Sequence, residues 1–196
     1  DPQRFSMAAC TLTGASNIEV PGYEQMTIPH IVLECEQRPR YALAIARLAR
    51  VLRRNRVDIL HTHHYEETLL GVLAARLART PAVVIGRHYH DELYLVAAGV
   101  KLRALLAVEG FCNRLAQAIV VPSTQIQELL VERQTIPIRK VRVIPYGFDF
   151  EAERYRPAGA AVVDGVRREL GLDGHVVIGN FARHYALKGQ EYLLAA

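Results

Sequence analysis

Histidine is concentrated in two short segments of the sequence, and each segment follows an apolar run that predicts a β-strand. The imidazoles and the carboxylates beside them belong to His61, His63, His64, His88, His90, Asp91 and Glu92. If the two strands are neighbours in one sheet, these side chains converge. Such a set could hold zinc or another divalent ion. Alternatively, neutral imidazoles could hydrogen-bond sugar hydroxyls, with one of them acting as an acid or base near neutral pH.

Two cations form a second candidate site near the end of the chain. Arg183 and Lys188 share a loop that leaves a predicted strand and enters a predicted helix. A helix N-terminus presents free amides and the positive end of the helix dipole, so this loop suits a diphosphate. The two cations would stabilise the negative charge that develops on a leaving phosphate as its glycosidic bond breaks.

The elements that must position these groups alternate along the chain. Short apolar runs predict strands at 5–13, 28–34, 57–63, 82–86, 118–121, 141–144 and 175–181. Stripes with the helical period predict helices at 40–55, at 66–79, in the segment from 87 to about 117, from 124, at 162–170 and after Gly189. This alternation predicts an α/β fold, with a doubly wound, Rossmann-like parallel sheet covered by helices. Ligands of such sheets bind beyond the carboxyl ends of the strands, which makes 61–65, 87–92 and 145–150 the segments of interest.

Helical spacing also predicts which residues face the core. In the helix over 40–55 they are Tyr41, Ile45, Leu48 and Leu52, and in the helix that ends near 117 they are Leu105, Val108, Cys112 and Leu115. Thr124 and Gln127 fit a capping box, which predicts that Thr124 caps the following helix.

The composition argues against several classes of protein. The chain has 196 residues, 51% of them hydrophobic, and a net charge of +4, so it is not intrinsically disordered. No apolar run is long enough to span a membrane, and no stretch interleaves basic with aromatic residues, so no nucleic-acid partner is expected. No G-x-G-x-x-G follows a strand, and neither a Walker A nor a G-x-S-x-G pattern occurs, which argues against nicotinamide dehydrogenases, P-loop NTPases and serine hydrolases. Three distant cysteines predict free thiols in a reducing compartment.

Five segments occur in a recognisable order. They are 58–63 (Asp-Ile-Leu-His-Thr-His), 86–88 (Gly-Arg-His), 120–123 (Val-Val-Pro-Ser), 143–149 (Val-Ile-Pro-Tyr-Gly-Phe-Asp) and 178–189, which begins Ile-Gly-Asn-Phe-Ala-Arg and ends Lys-Gly. This ordered set resembles glycosyltransferase family 4, the retaining, nucleotide-sugar-dependent enzymes of the GT-B fold. The fourth segment corresponds to the family's Pro-Asn-Gly-Val-Asp, from which Tyr146 and Phe148 depart.

The resemblance implies two Rossmann-like domains that face each other across a cleft. Residues 1–149 would form most of an acceptor-binding domain that lacks its first strand. Residues 150–161 would form the interdomain linker, and 162–196 the truncated start of a domain that binds the nucleotide sugar. The chain is therefore expected to be a fragment that is inactive by itself, with the family's acidic motif beyond Ala196.

The resemblance also implies roles for individual residues. Arg183 and Lys188 match the cations that bind the donor diphosphate. His88 matches the histidine near the reacting sugar and is the expected catalytic residue. The residues expected to line the acceptor side of the cleft are His61, His63, His64 and Arg87.

The function implied is that of a retaining, hexosyl-type glycosyltransferase in glycan biosynthesis, which transfers a sugar from a nucleotide diphosphate sugar to an acceptor hydroxyl. No metal and no other cofactor is expected, because cationic side chains and helix dipoles take the place of a metal in this family. The acceptor is expected to be a glycan, a lipid or a small molecule. A cytoplasmic location is expected, with Lys101, Arg103 and Arg114 on the helix over 101–114 as a candidate surface for peripheral contact with the inner face of the membrane.

Three other functions stay open. One is a metal-dependent hydrolase that uses His61, His63 and His88. Another is a non-catalytic relative that binds a sugar nucleotide or a glycan without turnover. The third is a different kind of GT-B enzyme, such as a sugar-nucleotide epimerase or a phosphorylase.

Overall fold

The chain divides into two units, Asp1–Tyr146 and Gly147–Ala196. The computed structural model describes residues 4–13, 28–35, 38–88, 97–152, 156–182, 184 and 188–196. The predicted linker, 150–161, lies within the second unit.

Two short strands precede the main sheet of the first unit. β1 (Ala9–Thr11) and β2 (His30–Val32) pair in parallel, with Cys10 opposite Ile31. Both strands are shorter than the predicted runs at 5–13 and 28–34. After β2, Leu33 and Cys35 are buried, and their backbone N–H groups donate to the carbonyl oxygens of Thr11 and Leu12. Before β1, Phe5 and Met7 are 57% and 58% exposed, so the apolar character of this end of the run does not reflect burial.

A four-stranded parallel sheet forms the centre of the first unit. Its strands, hydrogen-bonded in this order, are β3 (Ile59–His63), β4 (Ala82–Gly86), β5 (Ala118–Val121) and β6 (Val141–Val143). His63 lies opposite Gly86, and Gly86 lies opposite Val120. All carboxyl ends therefore lie at one edge of the sheet, as the alternation of apolar runs and helical stripes predicted.

Helices connect these strands. They are α1 (Tyr41–Arg54), α2 (Tyr65–Ala78), α3 (Gly99–Leu115) and α4 (Thr124–Glu128), and α2 packs against both α1 and α3. The largest fully buried side chains of the unit are Leu70, Val72, Cys112, Ile119, Val121, Leu130 and Val141. Each large aliphatic side chain among them contributes about 1.5–3 kcal/mol by leaving water, which fixes the helices against the sheet.

The inward face of α1 agrees closely with its predicted spacing. Its buried residues are Ala44, Leu48, Ala49 and Leu52, and Tyr41 and Ile45 pack against the margin of the core.

In α3 the buried face of the helix is rotated from the predicted one. Cys112 is buried as expected, but Glu109 and Asn113 are buried with it, while Leu105 and Val108 are only half-buried.

The N-cap of α4 is Ser123, and the prediction of Thr124 was wrong. The backbone N–H of Ile126 donates to Oγ of Ser123 at 3.4 Å, and Thr124 is already the first helical residue. The chain then continues as a π-helical turn, Leu129–Arg133.

The second unit contains α5 (Ala160–Glu169) and α6 (Gln190–Ala195), close to the two predicted helices. The buried strand predicted at 175–181 is not formed. Val176, Ile178 and Phe181 are 94%, 78% and 99% exposed. A strand needs a hydrogen-bonded neighbour, and the described residues of this unit supply no second strand for it to pair with. Among the described helices of either unit, none is long and apolar enough to cross a membrane.

Candidate functional site

β3 presents two histidines on one face of the sheet. Side chains alternate along a strand, so His61 and His63 share a face while Thr62, between them, is buried on the other. In the adjacent strand β4, Gly86 lies opposite His63. The two histidine-bearing segments are thus neighbours, as their convergence requires.

Gly86 leaves the space that these two rings occupy. A Cβ atom at residue 86 would lie 2.6 Å from Nδ1 of His63 and 3.0 Å from Nε2 of His61. Both rings therefore lie over the backbone of β4. Gly86 belongs to the motif at 86–88, but the motif alone did not predict this role. The signal that could have found it is a glycine at the end of an apolar strand, since glycine in a strand often marks a place where another group approaches the backbone closely.

His88 extends the stack beyond the end of β4. Its Nε2 lies 2.7 Å from Nδ1 of His63, and the two ring centroids are 4.9 Å apart with planes at 16°. The ring of His61 contacts His63 in turn, with a centroid separation of 4.3 Å.

Tyr146 completes this arrangement. Its Oη lies 2.6 Å from Nδ1 of His88, and the two rings are stacked with centroids 5.8 Å apart. We call His61, His63, His88 and Tyr146 the histidine–tyrosine cluster. In the sequence, Tyr146 is noticeable only as a departure from a family segment. Its position just beyond the carboxyl end of β6, at the same sheet edge, was the signal that could have placed it in the site.

Partial burial keeps the three imidazoles of the cluster uncharged. Desolvation lowers the pKa of His61 and of His88, with a smaller contribution from neighbouring histidines. It lowers the pKa of His63 to about 4, and repulsion from His61, His88 and His64 adds to the effect. At neutral pH each ring then offers one N–H donor and one acceptor nitrogen. This suits hydrogen bonds to hydroxyl groups.

His64 turns the chain from β3 into α2. Its backbone has φ 60° and ψ 174°, a region occupied almost only by glycine. Its carbonyl oxygen accepts the N–H of Thr68 at 3.3 Å and begins the helix. No ring contact of His64 is found among the described residues, so it lies beside the cluster and outside its stack.

Arg87 is predicted to line the cleft, but the structure buries its side chain. Arg87 is 3% exposed, and its Nη1 lies 2.5 Å from Oε1 of Glu109 in α3. Gln134 donates to the other oxygen of Glu109 at 2.9 Å. The backbone N–H of Arg87 donates to the carbonyl oxygen of Val120 at 2.8 Å. Arg87 therefore fixes the end of β4, from which His88 follows, instead of facing the surface with its side chain.

The hydrogen bond between His63 and His88 opposes metal binding by the cluster. These two rings direct one nitrogen each at the other, so neither nitrogen has a lone pair free for an ion. Within the described parts of the chain, no group of three or more His, Cys, Asp or Glu side chains is placed to hold a metal ion. The alternative of a metal-dependent hydrolase that uses His61, His63 and His88 has no support in this geometry.

The predicted diphosphate site belongs to the second unit. Lys188 is exposed in the turn that precedes α6. Arg183 lies outside the described residues, as do His90, Asp91 and Glu92 of the second histidine segment. Binding of a diphosphate by Arg183 and Lys188 stays a prediction.

Comparison with known proteins places the cluster inside a matched region. The chain matches the family model described as Glycosyltransferase Family 4 over residues 13–152, a range that includes β3 to β6 and the whole histidine–tyrosine cluster. It is also 30% identical, over 111 residues, to UDP-Gal:alpha-D-GlcNAc-diphosphoundecaprenol alpha-1,3-galactosyltransferase of Escherichia coli. That match covers 57% of this chain and 28% of the relative.

Two solved structures share the fold. The structure of Anabaena HepE in complex with UDP and glucose superposes with a TM-score of 0.65 at 22% identity, over 88% of this chain and 45% of HepE. A glycosyltransferase from Rickettsia africae superposes with a TM-score of 0.53 at 16% identity, over 78% of this chain and 38% of that protein. This confirms the expected α/β, GT-B-type fold class. The chain spans less than half the length of each of these relatives.

Proposed function

The chain belongs to glycosyltransferase family 4, and from this premise we propose that the protein transfers a sugar from a nucleotide diphosphate sugar to an acceptor hydroxyl, with retention of anomeric configuration. The observation that carries the proposal is the histidine–tyrosine cluster. It gathers uncharged hydrogen-bonding side chains at the carboxyl edge of a parallel sheet, where α/β folds bind their ligands. Neutral imidazoles and a phenol pair with sugar hydroxyls as donors and as acceptors.

Two similar proteins support the class of donor. The Escherichia coli relative is named for UDP-Gal, and the HepE structure contains UDP and glucose. We infer a nucleoside diphosphate hexose as the donor here, with Arg183 and Lys188 binding its diphosphate. Charge-assisted hydrogen bonds from these two cations would stabilise the departing phosphate without a metal.

The test uses the full-length protein and a set of nucleoside diphosphate hexoses. We expect Arg183→Ala to lower kcat about 10²-fold or more, because one charge partner of the transition state is lost. The matched control is Arg168→Ala, which removes the same charge from the exposed side of α5 and should leave turnover near that of the wild type. Equal turnover in the two variants would contradict the diphosphate role.

Two further measurements address the stereochemistry and the metal. NMR of the product should show the anomeric configuration of the donor, and a chelator should leave the rate unchanged. An inverted product would contradict retention. Loss of activity on chelation, restored by a divalent ion, would contradict catalysis without a metal.

The exposed face of α3 supports a lipid-linked acceptor. Its residues lie along one stripe of the helix and combine apolar with basic side chains: Val100, Arg103, Ala104, Ala107, Phe111 and Arg114, with Lys101 beside them. The only acidic residue of α3, Glu109, is buried against Arg87. Helices with such a face lie on anionic membrane surfaces. The Escherichia coli relative is named for a diphosphoundecaprenol acceptor. We propose that α3 contacts the membrane that carries the acceptor, at its inner, cytoplasmic face.

Flotation with lipid vesicles tests this contact. The full-length protein should float with phosphatidylcholine vesicles that contain phosphatidylglycerol and should remain behind with phosphatidylcholine alone. Reversing two charges of α3 in the double variant Lys101→Glu and Arg103→Glu should abolish flotation. The control is the double variant Arg50→Glu and Arg54→Glu on exposed positions of α1, which should still float. Equal flotation of both double variants would show that α3 is not the contact.

A further inference from the structure

The histidine–tyrosine cluster uses both ring nitrogens of His88 internally. Nδ1 of His88 lies 2.6 Å from Oη of Tyr146, and Nε2 lies 2.7 Å from Nδ1 of His63. An imidazole has only these two hydrogen-bonding atoms. Both ring nitrogens of His88 are therefore engaged within the cluster. Within the described part of the chain, Nε2 of His63 makes no hydrogen bond, so it is the free ring nitrogen at the end of this series of bonds.

These neutral side chains can hydrogen-bond in two directions. In the first, Tyr146 donates its O–H to Nδ1 of His88, Nε2–H of His88 donates to Nδ1 of His63, and the hydrogen of His63 lies on Nε2. In the second, each bond is reversed, and Nε2 of His63 is left as an acceptor. Whether Tyr146 donates or accepts its hydrogen bond to His88 thus determines whether Nε2 of His63 is a donor or an acceptor.

The chemistry of a phenol favours the first direction. A phenol O–H is the more acidic hydroxyl of the protein side chains, with a pKa of about 10, and is a good donor. Its oxygen lone pair is partly delocalised into the ring and is a weak acceptor, whereas an unprotonated imidazole nitrogen accepts well. The separation of 2.6 Å is in the range of a short bond donated by a hydroxyl.

We propose that His63 is the ring that contacts the ligand, through a hydrogen on Nε2, and that Tyr146 is a positioning residue that acts through His88 to keep that hydrogen there. The ligand atom is an oxygen of a hexose that accepts a hydrogen bond. The identity of this ligand rests on the proposed function, whereas the coupling from Tyr146 to His63 rests on the geometry alone.

The coupling is tested by ¹⁵N NMR of the histidine rings in the full-length protein. In the wild type, Nδ1 of His88 and Nδ1 of His63 should both be unprotonated. Tyr146→Phe removes the O–H and keeps the ring, so His88 can take its hydrogen on Nδ1. The ring resonances of His63 should then move, although His63 does not contact Tyr146. In a His88→Ala background, Tyr146→Phe should leave His63 unchanged.

Two results would overturn the coupling. One is a protonated Nδ1 on His88 in the wild type. The other is a His63 ring whose resonances do not respond to Tyr146→Phe, in a variant whose amide spectrum shows the native fold.

A variant at the other end of the series provides an independent test. Gly86→Ala places a methyl group 2.6 Å from the present position of Nδ1 of His63 and displaces that ring. The ring of His63 should then stop responding to Tyr146→Phe, while Nδ1 of His88 stays unprotonated because Tyr146 still donates to it. His63→Leu removes the same partner without adding a clash, and in it too Nδ1 of His88 should stay unprotonated. A protonated Nδ1 in His63→Leu would contradict the assignment of Tyr146 as the donor.

Activity tests the ligand contact. In His63→Gln the amide nitrogen can reach the position of Nε2, whereas in His63→Asn it reaches only that of Nδ1. We expect kcat/KM to be about tenfold higher for the glutamine variant, the value of one hydrogen bond. Equal losses would contradict the contact through Nε2. Absence of sugar transfer by the wild type, with the NMR coupling intact, would contradict the proposed function and leave the coupling standing.

Discussion

The guanidinium of Arg87 and the carboxylate of Glu109 form a buried ion pair, with Nη1 and Oε1 2.5 Å apart and the two side chains 3% and 6% exposed. The pair joins the end of β4 to α3. Arg87 immediately precedes His88 in the chain, so the pair also fixes the backbone from which His88 projects. Removing one partner leaves a charge that is buried and uncompensated, which costs far more than the pair itself contributes.

We therefore expect Glu109→Ala to lower the free energy of unfolding by about 3–5 kcal/mol. Glu109→Gln, which keeps the hydrogen-bonding shape, should lose less. Urea denaturation measures both. The control is Glu132→Ala at an exposed position, which should stay within about 0.5 kcal/mol of the wild type. A Glu109→Ala variant as stable as this control would show that the pair does not hold β4 to α3.

The backbone of His64 predicts an unusual gain in stability. Its φ of 60° and ψ of 174° cost about 1–3 kcal/mol for a residue with a Cβ atom. Glycine removes that strain. Part of the gain is offset, because the greater entropy of glycine in the unfolded chain lowers the free energy of unfolding by about 0.5–1 kcal/mol. His64→Gly should therefore be about 1 kcal/mol more stable than His64→Ala, which lacks the imidazole but keeps the strain. Equal thermal midpoints for the two variants would show that His64 is not strained.

Lys140 caps the C-terminus of α3. Its Nζ donates to the carbonyl oxygens of Asn113, Arg114 and Ala116, at 3.1, 2.7 and 2.8 Å. A cation at this end of a helix satisfies free carbonyls and opposes the negative end of the dipole. We expect Lys140→Met to lose about 1–2 kcal/mol in chemical denaturation.

Arg139→Met is the control for this cap, since it removes the same charge from the adjacent exposed position. It should change the free energy of unfolding by less than about 0.5 kcal/mol. If both variants lost similar amounts of unfolding free energy, the positive charge in this region, and not the three hydrogen bonds of Lys140, would account for the effect.

The low pKa of His63 predicts a pH dependence of stability. Its pKa in the folded protein is about 4, below the ordinary value of 6.5, so the unfolded chain binds more protons between these two values. Stability from this group is present above pH 6.5 and is lost as the pH falls towards 4. The thermal midpoint of the wild type should therefore drop more steeply over this range than that of His63→Gln. Carboxylates titrate in both proteins, so the difference between the two slopes isolates His63. Parallel slopes would contradict the low pKa.

Much of the first unit follows from the sequence because its signals are local. The apolar run at 82–86 is β4 residue for residue, and α1 begins and ends within one residue of its predicted bounds. Burial imposes a period of two on strands and 3.6 on helices, and that period is written in consecutive residues. The alternation of these elements was sufficient for a parallel sheet and for the edge at which His61, His63 and His88 meet.

Tertiary structure decided what depends on residues that are distant in the chain. One of the two hydrogen-bond partners of His88 is Tyr146, 58 positions away. The burial of Arg87 depends on the carboxylate of Glu109, which the helical stripe did not predict to face inward. The apolar segment at 175–181 shows the converse, since a local pattern forms no strand without a neighbour to complete its hydrogen bonds. Composition and periodicity determine which segments can be buried. Which polar atoms meet at the sheet edge is decided only when the strands pair, because hydrogen bonds require atoms within about 3 Å and a sequence pattern contains no such distances.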